Sequence, residues 1–344
     1  MSTPVTTPVT TPARHHRRTV RALAAGALAL VAGLPLLTAS PAGAASAGTP
    51  GDRSPHWLSG RSGTVRGAAE ITATWADDDG AAVSMRQLDA GAELGAWCGS
   101  LDVAVGAFST GGWAQAAAGG HDEVWRRSLT VLRDKWSALQ ERCRRDGDAS
   151  ANRLFVRFAH EANGDWYDWS FGDTDPEVVK AAWARYRRLQ REVLPAAQLV
   201  MSVNRESVGS SRPWTDYFPG SDVVDVLGVD YYNQFPYVAT QARWDASVDD
   251  TSGGEPVGLG AHLDFARSVG LPLSVGEWSG NAENGDSPVF VENMHRFFVE
   301  HGGSGAGQVL YEVQFNVDRD GGRWSLTPGS TRMPRSAQAY AALF

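Results

Sequence analysis

Apolar runs alternate with amphipathic stretches along most of this chain. Eight runs read as strands, at 70–75, 83–88, 101–108, 153–159, 198–203, 223–230, 271–276 and 308–315. Several are almost continuously apolar, the pattern of strands covered on both faces. Between them, 122–145 carries Val124, Leu129, Leu132, Trp136 and Leu139 at three- and four-residue steps, with arginines on the other faces. That spacing predicts a helix with one buried stripe. Asp175-Pro176-Glu177 supplies an N-cap acid, a proline at the first helical position and an acid in the first turn. The helix it opens runs to about Val193, where Pro195 stops it. Further helices are predicted at 259–269, closed by Gly270-Leu271-Pro272, at 289–300 after Asp286-Ser287-Pro288, and at 334–343. Strand–helix repetition implies parallel pairing, and eight strands in about 290 residues predict an α/β chain folded as a single (β/α)8 TIM barrel. A doubly wound sheet is the competing layout. It would carry a glycine-rich phosphate turn after its first strand, and Trp75-Ala76-Asp77-Asp78-Asp79-Gly80 is not one.

The beginning of the chain does not share this pattern. Arg14, Arg17, Arg18 and Arg21 precede an apolar run from Ala22 to Leu37, which is followed by Ala42-Gly43-Ala44. A basic segment, a short apolar segment and a small-residue cleavage site are the parts of a secretory signal. The run is too short and glycine-rich for a comfortable membrane span; a retained anchor is the alternative. The expected organisation is a signal over 1–44, a flexible lead-in over 45–56 and the barrel over 57–344.

Composition narrows the chemistry. The chain has 31 basic and 39 acidic residues. The leader holds four of the arginines and no acid, so the remainder carries 27 against 39, a net charge of −12. An acidic secreted protein is a poor match for nucleic acid or an anionic membrane and suits a neutral substrate. All 13 Trp lie beyond the leader; indole offers a flat apolar face with a polar edge, which suits sugar rings as well as cores. Cys98 and Cys143 are the only cysteines. In an oxidising compartment an even pair reads as one disulfide, here at the rim of the barrel away from its mouth; two buried free thiols are the alternative. No cysteine–histidine cluster has zinc spacing, and no cofactor or metal is expected.

In a TIM barrel the chemistry sits where strands end, at the C-terminal face. The strand ends here offer His160-Glu161, Asn204-Arg205-Glu206, Asp230-Tyr231-Tyr232-Asn233, Glu277-Trp278 and Gln314-Phe315-Asn316. Glu161 follows the fourth strand and Glu277 the seventh, which face each other across the mouth. Two carboxyls about 5–5.5 Å apart are what a retaining glycosidase needs, one as acid then base and the other as nucleophile. Arg157 shares the parity of Glu161 and is expected to point inward beneath it; Arg157 and Tyr232 are candidate donors to Glu277.

The segment Arg157-Phe158-Ala159-His160-Glu161-Ala162-Asn163-Gly164-Asp165-Trp166-Tyr167-Asp168-Trp169 resembles the acid/base segment of glycoside hydrolase family 26, R-F-x-H-E-M-N-G-x-W-Y-P-W. It departs at Ala162 and Asp168, neither of which carries proton chemistry. The resemblance continues through Asp222-Val223-Val224-Asp225-Val226-Leu227-Gly228-Val229-Asp230-Tyr231-Tyr232-Asn233 and Pro272-Leu273-Ser274-Val275-Gly276-Glu277-Trp278, and covers the chain from about Trp57 onward. It implies a retaining barrel enzyme with Glu161 as acid/base and Glu277 as nucleophile. It also implies His160 beside the acid/base, Trp166 against the scissile sugar, and Tyr232 bonded to the nucleophile, with Tyr231 competing for that place. Asn204, Trp278 and Trp169 complete the expected substrate-binding or supporting set. Some mannanases of the family place a substrate-binding His after strand three; here that strand ends in Phe108-Ser109-Thr110-Gly111-Gly112-Trp113, and His121 reads as a surface residue.

The expected activity is therefore that of a secreted, monomeric endo-β-glycanase acting on β-1,4-mannan, with mixed-linkage β-1,3-1,4-glucan and β-1,3-xylan as alternatives. A non-catalytic glycan-binding barrel would have lost one of the two glutamates. A metal-dependent hydrolase would have to use the run Asp77-Asp78-Asp79, which reads as a solvated turn. Trp75, Trp97, Trp125, Trp136 and Trp183 read as core, whereas Trp113, Trp214, Trp244 and Trp324 fall in apparent loops and are candidates to line a cleft.

Overall fold

The computed structural model describes residues 56–62, 69–76, 83–148, 152–317 and 321–344. The leader, all but the last residue of the lead-in, and Asp77–Asp79 lie outside these. Eight strands, β1 (Leu58–Arg61), β2 (Ile71–Trp75), β3 (Ser100–Val105), β4 (Leu154–Phe158), β5 (Gln198–Asn204), β6 (Val226–Asn233), β7 (Leu273–Gly280) and β8 (Val309–Gln314), pair in sequence order and in parallel. β1 closes on β8, with Leu58 opposite Tyr311 and Arg61 opposite Gln314. The result is the closed (β/α)8 barrel that the alternation predicts. Helices α1 (Trp113–Ala117), α2 (Asp122–Arg145), α3 (Pro176–Val193), α4 (Gln241–Asp245), α5 (Leu259–Ser268), α6 (Pro288–His301) and α7 (Pro334–Leu343) lie on the connections. The Asp175 side chain accepts from the Glu177 N–H, as the helix-start reading requires. Among the described residues no helix is long and apolar enough to cross a membrane.

Two of the strand readings change. Residues 83–88 are not a strand: Arg86–Leu88 form one 3-10 turn, and Val83, Met85 and Leu88 are buried. The Val83 N–H donates to Ser128 Oγ on α2, so this apolar alternation lines a loop under a helix. The eighth strand is β1 instead, four residues of which two are polar. Gly60 makes it possible, because a Cβ there would lie 1.9 Å from the Ile71 carbonyl oxygen.

The barrel interior has two levels. Near its N-terminal end Ile71, Ala73, Phe155, Val200, Val226, Leu310, Tyr311 and Val313 pack as an apolar plug. Above them the inward positions turn polar, with Asp102, Arg157, Ser202 and Asp230 all fully or almost fully buried. Helices cover the outer faces through a much larger apolar layer. The disulfide joins Cys98 to Cys143, with Cα atoms 5.6 Å apart. Cys98 precedes β3 and Cys143 ends α2, so the bond lies at the rim opposite the mouth.

Candidate active site

Glu277 sits inside β7, and a bulge aims it. Between Ser274 and Glu277 the strand has one more residue than β6 has between Gly228 and Asp230. It also has one more between Val275 and Trp278 than β8 has between Glu312 and Gln314. An extra residue breaks the alternation, so Gly276 and Glu277 both face inward. A Cβ at position 276 would lie 3.1 Å from Arg157 Cδ and from Asp102 Oδ2, closer than ordinary contact, which is why glycine stands there. Glu277 Oε1 accepts from Arg157 Nη1 at 2.8 Å and Trp75 Nε1 at 2.7 Å. Oε2 accepts from the Tyr232 hydroxyl at 2.8 Å.

Arg157 is wholly buried among three carboxyls. Its Nε donates to Asp102 Oδ1 at 2.8 Å, and its Nη1 also faces Asp230 at 3.3 Å. Burial pushes the carboxyl of Glu277 up, but the charge of Arg157 and the donors from Arg157 and Trp75 outweigh it and hold the group below its ordinary value. Asp230 goes the other way: burial and the neighbouring Glu277 raise it well above the usual carboxylate range despite Arg157. Asp102 is likewise raised by burial. One guanidinium cannot neutralise three buried carboxylates, so the negative charge concentrates on Glu277, which has the best donors.

Glu161 reaches the mouth by a different route from the one its parity implies. β4 ends at Phe158, and Ala159 is buried in the outer layer. Ala159 and Glu161 then take φ of 50° and 51°, left-handed turns that cost about 1–3 kcal/mol each for residues with a Cβ. The Glu161 N–H is held by the Ser202 carbonyl at 2.9 Å. Its carboxyl is partly exposed, and Oε2 accepts from Trp166 Nε1 at 3.0 Å, while the Trp166 ring is 46% exposed. Burial, with the charges of Glu277, Asp230 and Glu161, keeps the Tyr232 phenol well above its ordinary pKa; the hydroxyl that binds one glutamate thus feels the other as well.

The rest of the strand-four loop is scaffold. His160 is buried, with Nε2 3.0 Å from the Tyr167 hydroxyl; burial and the charge of Arg157 lower its pKa to about 3, so it is neutral. Trp169 stacks on Tyr167 at 4.4 Å and donates to the His160 carbonyl, supporting the loop from inside. Asn163, not among the sequence candidates, bonds the Asn204 N–H and carbonyl at 2.7 Å each through its side chain. The Asn204 side chain itself turns to the Glu206 carbonyl.

Several expectations are corrected. Tyr231 points out of the barrel, over which Arg205 lies at 4.9 Å, so Tyr232 alone meets Glu277. Trp278 also points outward; it is fully buried against Phe298, Tyr340 and Phe344 and bonds Glu312. His121 is buried rather than at the surface, stacked on Phe108 at 5.2 Å. Among the loop tryptophans, Trp113, Trp214 and Trp244 are buried, whereas Trp324 lies 4.6 Å from the Tyr232 ring. Trp75, read as core from its place on a strand, is partly exposed at the mouth with Phe315 edge-on to it at 5.1 Å. Its parity with the inward Ile71 and Ala73 was the available signal.

Fold and site together define a (β/α)8 barrel with an ionised carboxylate fixed by three donors and a second, partly exposed carboxyl under an indole. The profile of Glycosyl hydrolase family 26 matches residues 121–253. Mannan endo-1,4-beta-mannosidase A and B of Caldalkalibacillus mannanilyticus is 22% identical over 254 residues, 64% of this chain and 47% of that protein. Endoglucanase H of Acetivibrio thermocellus is 25% identical over 130 residues, 36% of this chain and 14% of that protein. The chain thus spans less than half the length of the curated relatives it matches. Among solved structures, a modular endo-beta-1,4-mannanase from Cellulomonas fimi superposes with a TM-score of 0.58 at 15% identity, covering 84% of this chain and 71% of that one. The catalytic domain of an endo-beta-1,4-mannanase from Bacillus sp. JAMB-750 gives 0.56 at 15% identity, over 85% and 87%. The fold is therefore shared with these barrels, and the match to glycosyl hydrolase family 26 spans residues 121–253 of the chain.

Proposed function

We propose that the protein is a secreted, monomeric retaining endo-β-glycanase that hydrolyses β-1,4-mannan-type polysaccharide by double displacement. The observation that carries this reading is the triple anchoring of Glu277 by Arg157, Trp75 and Tyr232. A carboxylate so held stays ionised in a buried place, as a nucleophile must. In the first step a Glu277 oxygen bonds to the anomeric carbon as the glycosidic C–O bond breaks. Glu161 gives its proton to the departing oxygen. In the second step Glu161 takes a proton from water, whose oxygen displaces Glu277 and restores both groups with the starting configuration. Trp166, bonded to Glu161 and exposed, is the wall against which the sugar packs. The names of the mannosidase relatives favour mannan; that of the endoglucanase relative favours a β-glucan as the second reading.

The test uses the processed protein on β-1,4-mannan and on mixed-linkage β-glucan, with reducing ends measured and the anomer of the first product followed by NMR. Retention is expected on one of the two polymers. Glu277→Ala should be inactive on every substrate. Glu161→Ala should lose about 10²–10⁴ on polymer, and far less on an aryl glycoside whose leaving group needs no proton. Adding azide to Glu161→Ala should give a β-glycosyl azide. An inverted product, or an active Glu277→Ala, removes the reading. Sequencing the N-terminus of protein recovered from culture medium tests secretion, with cleavage near Ala44 expected.

A further inference from the structure

The loops that leave β4, β5 and β6 are tied into one wall at the barrel mouth. Asn163 joins the first two, through its bonds to Asn204 and through its carbonyl, which accepts from the Val208 N–H at 2.8 Å. Glu255, from the connection between β6 and α5, joins the others. It is only 6% exposed and accepts from Ser207 N at 2.6 Å, Ser207 Oγ at 2.7 Å and Trp214 N at 2.6 Å. A buried carboxylate with three donors is a rigid brace.

Against this brace lies a cavity of about 330 Å³, lined among others by Glu206, Ser207, Phe235, Pro236, Asp250 and Ser252. Phe235 is 70% exposed, and Trp166, Val208 and Phe235 place one exposed apolar side chain on each of the three loops. Phe235 stands three residues after Tyr232 on the same chain, a reach of at most ~11 Å, on the order of two pyranose rings. Phe235, which lines the cavity, thus stands on the segment that leaves β6 just after the tyrosine bonded to Glu277. The chemistry of the cavity is that of a sugar site: an aromatic face, two serine hydroxyls and carboxyls able to accept from hydroxyl groups. Burial raises the carboxyl of Glu206, with Glu255 and Asp250 adding to the effect against Arg205. A wall of acids disfavours uronic acids and phosphates and leaves a neutral sugar as the fitting guest.

We propose that this cavity is a distal sugar-binding subsite, in which Phe235 stacks on a neutral pyranose of the bound polymer while Glu206 and Asp250 accept its hydroxyls. The assignment rests on the cleft being that of a β-glycanase. Its occupant is a sugar unit remote from the bond being cut, so short substrates do not reach it.

The test compares wild type, Phe235→Ala, Phe235→Trp and Glu206→Gln on β-1,4-mannohexaose and on an aryl β-mannobioside; if only β-glucan is cleaved, the corresponding cello-oligosaccharide and aryl cellobioside replace them. Phe235→Ala should lower kcat/KM on the hexasaccharide roughly tenfold, the scale of one lost aromatic contact, and leave the aryl disaccharide unchanged. Phe235→Trp should keep or improve the hexasaccharide value. Glu206→Gln should weaken it in the same selective way. Because Phe235 is exposed, melting temperatures should match. If the wild type cleaves the hexasaccharide and Phe235→Ala cleaves it equally well, the subsite is wrong and the cleavage site stands. If chelator reproduces the Phe235→Ala loss, the cavity holds a cation and the subsite is overturned. If the wild type cleaves neither oligosaccharide series, the reading of the cleft itself fails.

Discussion

Arg157 Nη1 lies 2.8 Å from Glu277 Oε1. The pair joins the fourth strand to the seventh through the centre of the barrel. Arg157→Lys keeps the charge but loses the planar fork that serves Asp102, Asp230 and Glu277 at once. Glu277 is held below its ordinary pKa chiefly against burial by this guanidinium. Weakening the pair should raise that pKa, so the acid limb of kcat/KM against pH should move to higher pH, with a loss at neutral pH of roughly tenfold or more. A pH–rate profile for wild type and Arg157→Lys checks this; an unmoved acid limb would mean that Arg157 does not set the ionisation of Glu277.

Trp75→Phe removes one donor and keeps most of the ring. The indole N–H is 2.7 Å from the same oxygen of Glu277. A hydrogen bond to a charged group contributes about 1.5–3 kcal/mol, so kcat/KM should fall about tenfold to a hundredfold. The edge contact with Phe315 survives in the phenyl ring, and the melting temperature should change by only a few degrees. Equal losses of activity and stability would recast Trp75 as a core residue.

What the chain order alone conveyed, and what it did not, can be traced to particular residues. The helices 122–145 and 334–343 were legible to the residue because their apolar stripes are local, and Pro334 stands at the first helical position of the second. β1 was not, because Leu58-Ser59-Gly60-Arg61 draws its place from pairing with β8, some 250 residues away in sequence. Residues 83–88 mimic a strand because burial under α2 asks for the same apolar alternation. Arg157 and Tyr232 were identified as donors to Glu277 and are bonded to it. Trp75 was missed, since a tryptophan on a strand is most often core. The bulge at Gly276-Glu277 and the left-handed turns at Ala159 and Glu161 were invisible: each is imposed by neighbouring strands and not by local propensity.

The disulfide should stabilise without touching activity. It closes a loop with a sequence separation of 45, for which chain entropy gives on the order of 4 kcal/mol. It lies at the rim opposite Glu161 and Glu277. The double variant Cys98→Ser/Cys143→Ser should therefore melt markedly lower, while kcat and KM at a temperature where it is folded stay at wild-type values. An unchanged melting temperature would show that the bond constrains little of the unfolded chain.

Buried neutral histidines should make the fold acid-labile before its carboxylates titrate. His160 is lowered from 6.5 to about 3, by burial and then by the charge of Arg157. His262 is lowered to about 4, chiefly by burial; its Nδ1 lies 2.8 Å from the Gly258 carbonyl, which can only accept, so Nδ1 carries the proton. In the unfolded chain both titrate near 6.5. Above that pH neither state binds the extra protons, and the stabilisation is complete. As pH falls below 6.5 the unfolded chain takes up two protons that the folded protein refuses, and stability drops by up to about 2.7 kcal/mol per pH unit. The decline continues until the folded groups protonate, near pH 4 for His262 and near 3 for His160. His121, lowered by burial, acts in the same direction. The midpoint of urea unfolding should therefore be clearly lower at pH 5.5 than at pH 7.5. His262→Asn, whose side-chain amide can still donate to the Gly258 carbonyl, should show a smaller difference between the two. Identical midpoints for the wild type at both pH values would mean that these imidazoles are not held neutral in the fold.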